Sequence, residues 1–165
     1  MILVDTSVWV DHFRNTNDTL IRLLQSDFVL MHPMILAEIA CGTPPAPRQR
    51  TLSDLDLLPK SHQATITEVL TFIENEKLFG LGCGLVDITL LASTRITPGA
   101  KIWTLDKRLS RLAERLNVGF VCELRDKLFS GFQYLCINSA MAFIRSNILN
   151  TAVLVFQVVP SREPA

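Results

Sequence analysis

The chain opens on a short, unbroken apolar run, Ile2 to Val4, that ends at a carboxylate, Asp5. Apolar residues in succession, without alternation, fit a strand covered on both faces. From Thr6 the pattern changes to helical spacing, with Trp9, His12 and Phe13 on one side. Leu20, Leu23 and Leu24 repeat that spacing, Phe28 to Met31 predict a second strand, and Pro33 suits the first turn of another helix. Pro44, Pro45 and Pro47 interrupt the chain as a loop; Leu52 with Leu55, then Ile66, Val69, Leu70 and Ile73, predict two more helices. The stretch GLGCG at 80–84 predicts a loop leading into a helix over LVDITLLASTRI, which Pro98 and Gly99 end. Lys101 to Thr104 predict a third strand, with Asp106 two residues beyond it. Leu109, Leu112, Ala113 and Leu116 define one more helix, and Val118 to Val121 a final strand. Strands alternating with helices predict an α/β layered fold with a mainly parallel central sheet, because parallel strands need long crossovers.

Composition narrows the picture. A chain of 165 residues that is 48% hydrophobic can bury one substantial core, and two full domains are not expected. Sixteen basic and sixteen acidic residues cancel, so the whole-chain field offers no general attraction for phosphate or anionic lipid, and any nucleic-acid contact needs a local patch. Cys41, Cys83, Cys122 and Cys136 are widely spaced in apolar surroundings, which suits reduced, buried thiols better than bridges or zinc and fits a cytoplasmic location. Asp5 and Asp11 break the apolar start, which therefore does not read as a secretory signal. The pattern of alternating strands and helices is expected to occupy 1–120, leaving 121–165 as a C-terminal extension of different character. Its apolar stretch from Leu135 to Val159 is interrupted by Asn138, Arg145, Asn147 and Asn150, which argues against a membrane span. An accessory helix and strand, a partner surface or an appended tail all fit it.

Four acids stand where ordinary structural roles do not fully account for them. Asp5 and Asp106 follow apolar strands, and each can cap the helix behind it, which does not exclude a second role. Glu38 shares a helical face with Met34, Ala37 and Cys41, and Asp87 precedes Leu91 and Thr94 by one and two turns, so both are expected on apolar faces where an acid needs a partner. A salt bridge to an arginine is the structural alternative for either. Acids at strand ends and adjacent helix starts would converge on the crevice where open α/β sheets place their sites. Mutual repulsion among them is most simply relieved by a divalent cation, and an oxygen-only donor set suits Mg²⁺ or Mn²⁺ better than zinc. Such a site can activate water against a phosphodiester.

The segments MILVDTSVWVDHFR, MILAEIACG, LVDITLLAS and IWTLDKRLSRLAERLNV, in this order and spacing, resemble the successive motifs of VapC-type PIN domains over residues 1–120. The resemblance implies a PIN-like three-layer sandwich with helices flanking the sheet. It also implies an endoribonuclease that uses Asp5, Glu38, Asp87 and Asp106 to bind Mg²⁺ or Mn²⁺ and hydrolyse RNA, as the toxin of a type II toxin–antitoxin pair. Asp5, Asp87 and Asp106 would be metal ligands, and Glu38 a ligand or the group that holds the attacking water. Ser7 and Thr104 resemble the family's supporting hydroxyls, with helix-start and strand-end chemistry as their alternative. The family further implies a homodimer and a VapB-type antitoxin that covers the acidic pocket, with no membrane. The tail from Phe120 to Ala165 departs from the family pattern.

Arg108, Arg111 and Arg115 form a local basic stripe that could contact RNA phosphates, although a solvated face pairing with Glu114 and other acids is the preferred reading. Trp9 and Trp103 are expected in the core rather than stacked on bases. His12, His32 and His62 show no metal-ligand spacing. A haloacid-dehalogenase-like phosphatase would carry a second Asp two residues after the first, where this chain has Ser7. A catalytically inactive domain that only binds RNA or a partner is the other alternative, against which the presence of all four acids argues.

Overall fold

The computed structural model describes residues 1–121, so expectations about the tail lie outside the described residues. In chain order the elements are β1 (Ile2–Val4), α1 (Thr6–Asn15), α2 (Asp18–Gln25), β2 (Val29–Leu30), α3 (Pro33–Cys41), α4 (Arg48–Asp56), α5 (Ile66–Glu76), α6 (Leu85–Ile96), β3 (Lys101–Trp103) and α7 (Lys107–Arg115). The sheet is parallel, in the order β2-β1-β3, with Ile2 opposite Val29 and Lys101, and Leu3 opposite Leu30 and Ile102. Successive strand residues face opposite sides, and Ile2, Leu3 and Val4 are all buried, so both faces of β1 are covered. This is the α/β layering expected from the alternating elements.

Two details of the sheet differ from the sequence expectation. The expected last strand, Val118 to Val121, shortens to a single parallel bridge between Gly119 and Ile102, held by Ile102 N–H to the Val118 carbonyl and Phe120 N–H to the Ile102 carbonyl, each 2.8 Å. It starts abruptly after Asn117, which turns the chain with φ 56°, and it pairs on one side alone. On the opposite edge, Met31 pairs with Lys60. No apolar run announces this bridge, because it depends on backbone groups: Met31 N–H to the Pro59 carbonyl and Ser61 N–H to the Met31 carbonyl.

Trp9 anchors the first layer. It is fully buried, stacks near Phe13, and donates its indole N–H to the Val4 carbonyl at 3.1 Å, which ties α1 to the end of β1. Trp103 is buried beside Phe120. Both tryptophans therefore belong to the core, as expected.

Two buried histidines hold turns. His32 caps α3, accepting the Met34 N–H at Nδ1 (3.1 Å), while its Nε2 lies 3.2 Å from Ser93 Oγ on α6. His12 accepts the Asn17 N–H at Nδ1 (2.9 Å) between α1 and α2. Accepting an N–H requires an unprotonated Nδ1, so both rings serve as neutral imidazoles. Burial pushes both below the usual imidazole pKa, opposed at His12 by the charge of Asp11.

Cys41 and Cys83 are free thiols, as expected, but Cys41 is exposed and Cys83 half-buried rather than buried; Cys122 and Cys136 lie outside the described residues. Among the described residues, no helix is long and apolar enough to cross a membrane.

Trp9→Ala should destabilise the protein by about 3–5 kcal/mol, measured by urea unfolding, because it removes a large core side chain and leaves the Val4 carbonyl unpaired. A base whose pKa is lowered on folding stabilises the native state above its unfolded value. Stability should therefore hold above about pH 6.5 and fall as the pH drops through that value toward the folded pKa of the two rings. Denaturant midpoints measured across that range should follow this course, and His32→Gln should flatten part of it.

Candidate active site at the carboxyl ends of the central strands

The chain places β2 on one side of β1 and then returns to place β3 on the other. In open α/β sheets the ligand crevice forms at such a reversal, beyond the carboxyl ends of the strands that flank it. Asp5 stands immediately after β1, and Thr104, Leu105 and Asp106 immediately after β3. The Asp5 N–H also donates to the Trp103 carbonyl (2.9 Å), which extends the strand pairing as far as the acid.

Asp5 is 6% exposed, and the hydrogen bonds it accepts all fall on Oδ2: Ser7 Oγ at 2.5 Å, Thr104 Oγ1 at 2.8 Å and the Ser7 N–H at 3.3 Å. Each hydroxyl carries one proton and directs it to the carboxylate. Their lone pairs then accept backbone N–H groups from the β3–α7 turn, Leu105 onto Ser7 (3.0 Å) and Asp106 onto Thr104 (3.0 Å). The two hydroxyls thus join the acid at the end of β1 to the turn that carries the acid beyond β3.

Asp106 is exposed and caps α7, with Oδ1 accepting the N–H groups of Arg108 (2.7 Å) and Leu109 (3.0 Å). The Leu109 N–H holds its carboxyl below the usual range; burial opposes it, and the Arg108 N–H and guanidinium add smaller contributions in the same direction as Leu109. Asp87 lies in the first turn of α6, where Oδ2 accepts the Gly84 N–H at 2.8 Å. Cys83 is close enough to feel both acids: burial, then the charges of Asp87 and Asp106, push its thiol up, with Arg108 opposing.

Glu38 corrects the expectation of an acid on a buried apolar stripe. Ile35 and Ile39 turn inward from α3, whereas Ala37, Glu38 and Cys41 face solvent. Its partner is a hydroxyl, Thr6 Oγ1, at 2.6 Å from Oε2. The structural alternative of an arginine ion pair is not seen for Glu38 or Asp87 among the described residues, whose ion pairs join Arg50 to Asp54, Lys60 to Asp56 and Arg95 to Glu76.

A single pattern runs through the four acids: the hydrogen bonds among described residues fall on Asp5 Oδ2, Glu38 Oε2, Asp87 Oδ2 and Asp106 Oδ1, one oxygen of each carboxylate. Among the described residues no three His, Cys, Asp or Glu side chains stand close enough to form a ready-made metal cage. The acids are tethered one by one rather than clustered.

Comparison with known proteins identifies the family. The PIN domain family model matches residues 2–115. The chain belongs to the PIN-domain family. Among curated relatives it is 39% identical over 127 residues to Ribonuclease VapC32 of Mycobacterium tuberculosis, in each of two strains, an alignment that covers 75% of this chain and 99% of the relative. That similarity places it with the VapC-type PIN domains. No solved structure matches the chain.

Within this PIN domain the basic stripe divides. Arg108 reaches the Gly82 carbonyl (3.1 Å) and ties the 80–84 loop to the start of α7, beside Asp106 and Cys83. Arg115 instead donates to the Glu76 carbonyl at the end of α5, far along the helix from the acids. Glu114, the partner considered for the stripe, accepts from Ser110 (3.2 Å). Sequence reading passed over Thr6, although the signal was present as a second hydroxyl adjoining Ser7 directly after the first acid.

Caps and charges at Asp106 can be separated. Asp106→Asn should keep the unfolding midpoint near that of the parent, since Asn caps as well as Asp, whereas Asp106→Ala should cost about 0.5–2 kcal/mol in chemical denaturation.

Proposed function

We propose that this PIN domain is a Mg²⁺- or Mn²⁺-dependent endoribonuclease that acts in the cytoplasm as the toxin of a type II toxin–antitoxin pair. The observation that carries this reading is the link from Asp5 through the Thr104 hydroxyl to the backbone N–H of Asp106, at the point where the sheet order reverses; Glu38 is joined to Thr6, the residue after Asp5, and Cys83 feels the charges of both Asp87 and Asp106. The name of the relative, a ribonuclease, supports the same chemistry.

The donor set suits a hard divalent cation, because it consists of carboxylates and hydroxyls and each carboxylate has one oxygen outside the hydrogen bonds of the described residues. Asp5, Asp87 and Asp106 would hold the ion, with Glu38 as a further ligand or as the acceptor that orients the attacking water. When bound, the cation supplies water activation and stabilises charge on the phosphate and leaving oxygens. Ser7 and Thr104 fix the rotamer of Asp5 and thereby the direction of its remaining oxygen. In the hydrolysis, water oxygen forms a bond to phosphorus, the bond from phosphorus to the leaving oxygen breaks, and the released proton passes to that oxygen. Arg108 is the basic residue best placed to meet an RNA phosphate, with Arg111 a secondary candidate along the same helix. Arg115 is the weakest of the three, because its guanidinium reaches the Glu76 carbonyl at the end of α5, at the far end of α7 from Asp106.

On this reading residues 1–120 form the nuclease domain and 121–165 an extension, consistent with a family match that ends at residue 115. The protein would act as a homodimer and be neutralised by a VapB-type antitoxin over the acidic pocket.

The test is cleavage of a mixed cellular RNA pool by purified protein with Mg²⁺, with Mn²⁺ and with EDTA. Cleavage should require the metal and be abolished in folded Asp5→Asn and Asp87→Asn variants. Folded mutants that still cut would remove these residues from the site. Metal binding without any cleavage would favour a domain that binds RNA or a partner. Arg108→Ala should raise KM with little change in kcat if its guanidinium contacts phosphate in ground and transition states alike.

A further inference from the structure

Asp5, Thr6 and Ser7 are consecutive, yet their side chains serve two different acids. Consecutive residues at a helix start point about 100° apart. Ser7 therefore turns back to Asp5, while Thr6 turns toward α3 and donates to Glu38, 32 positions away in the chain. Capping does not account for Thr6. The cap of α1 is Asp5, accepting the Ser7 N–H, and the Thr6 hydroxyl makes its hydrogen bond to Glu38 alone among the described residues.

Glu38 is exposed and takes part in no ion pair among the described residues. A glutamate in that setting has several rotatable bonds and no packing to choose among its rotamers. The Thr6 hydroxyl supplies the choice: it binds Oε2 at 2.6 Å, a length typical of a hydrogen bond to a charged carboxylate, and leaves Oε1 as the oxygen directed elsewhere. We infer that Thr6 is a positioning residue, which holds the Glu38 carboxylate in the one orientation that lets Oε1 work with Asp5. This rests on the proposed role of Glu38 in metal-dependent RNA hydrolysis.

The inference separates Thr6 from Ser7 and Thr104, which support Asp5. It also gives the first turn of α1 a double task, since one short segment sets the geometry of acids supplied by two distant parts of the chain. Thr6 is half-buried, so a valine of nearly the same shape removes the hydroxyl with little change in packing.

The experiment compares full-length wild type, Thr6→Val, Thr6→Ser, Glu38→Gln and the Thr6→Val/Glu38→Gln double variant. Three quantities are read: kcat and KM on a short unpaired RNA that the wild type cuts, the affinity for Mn²⁺ alone by calorimetry, and the unfolding midpoint. Thr6→Val should lower kcat or Mn²⁺ affinity by about ten- to a hundredfold, as loss of a supporting hydrogen bond does, with KM little changed. Thr6→Ser, which keeps the hydroxyl, should recover most of the loss. The double variant should be no worse than Glu38→Gln, because the hydroxyl acts through that carboxylate.

If Thr6→Val matches wild type in kcat and Mn²⁺ affinity while Glu38→Gln is impaired, the positioning role is wrong and the nuclease reading stands. A lowered unfolding midpoint with unchanged kcat and Mn²⁺ affinity also overturns it, since the bond would then be only a staple between α1 and α3. Should Glu38→Gln itself change neither quantity, the role of Glu38 fails and that of Thr6 with it.

Discussion

The parallel pairing of β1 with a neighbour on each side is the constraint from which the site follows. Ile2, Leu3 and Val4 can be buried together because helices cover both faces of the sheet, and burial on both faces holds the strand in one register with β2 and β3. With every neighbour parallel, the carboxyl ends of β1 and β3 lie along one edge. Any acid placed just after either strand then reaches the same crevice, and hydroxyls from both strand ends can meet there. The fold delivers Asp5 and Asp106 to one place by direction of pairing, before any interaction between side chains is considered.

Side chains then refine what the backbone begins. The hydroxyls of Ser7 and Thr104 each send a proton to Asp5 and receive an N–H from the β3–α7 turn, so the same groups support the acid and shape the turn that presents the other. Asp106 and Asp87 each spend one oxygen on a helix N-terminus. Capping does not preclude the proposed site role, because each cap engages one oxygen and leaves its companion outside the hydrogen bonds of the described residues. The readings of these acids as helix caps and as site residues therefore do not compete.

Away from the site, two of the three histidines that lack ligand spacing, His12 and His32, are structural. His12 and His32 each replace a backbone carbonyl as the acceptor for an N–H at a turn, which ties the junctions α1–α2 and β2–α3 to a neutral ring. Their burial makes the fold sensitive to mild acid, a property set at a distance from the carboxylates.

The order of strands and helices and the core positions of Trp9 and Trp103 were legible in the sequence, because each rests on local signals: hydrophobic period and helix-start chemistry. Glu38 shows where local signals end. Its helical face was visible, but which face of α3 looks inward depends on how the helix packs, and the structure turns Ile35 and Ile39 to the core and the acid to solvent. The Thr6 bond to Glu38, the division of the arginine stripe between the 80–84 loop and the end of α5, and the Met31–Lys60 bridge all join residues far apart in the chain. Sequence by itself determined which residues could do chemistry and the elements that carry them. Only tertiary structure decided which of those residues meet, because contacts across tens of residues are set by strand order and helix packing, and no local periodicity records them.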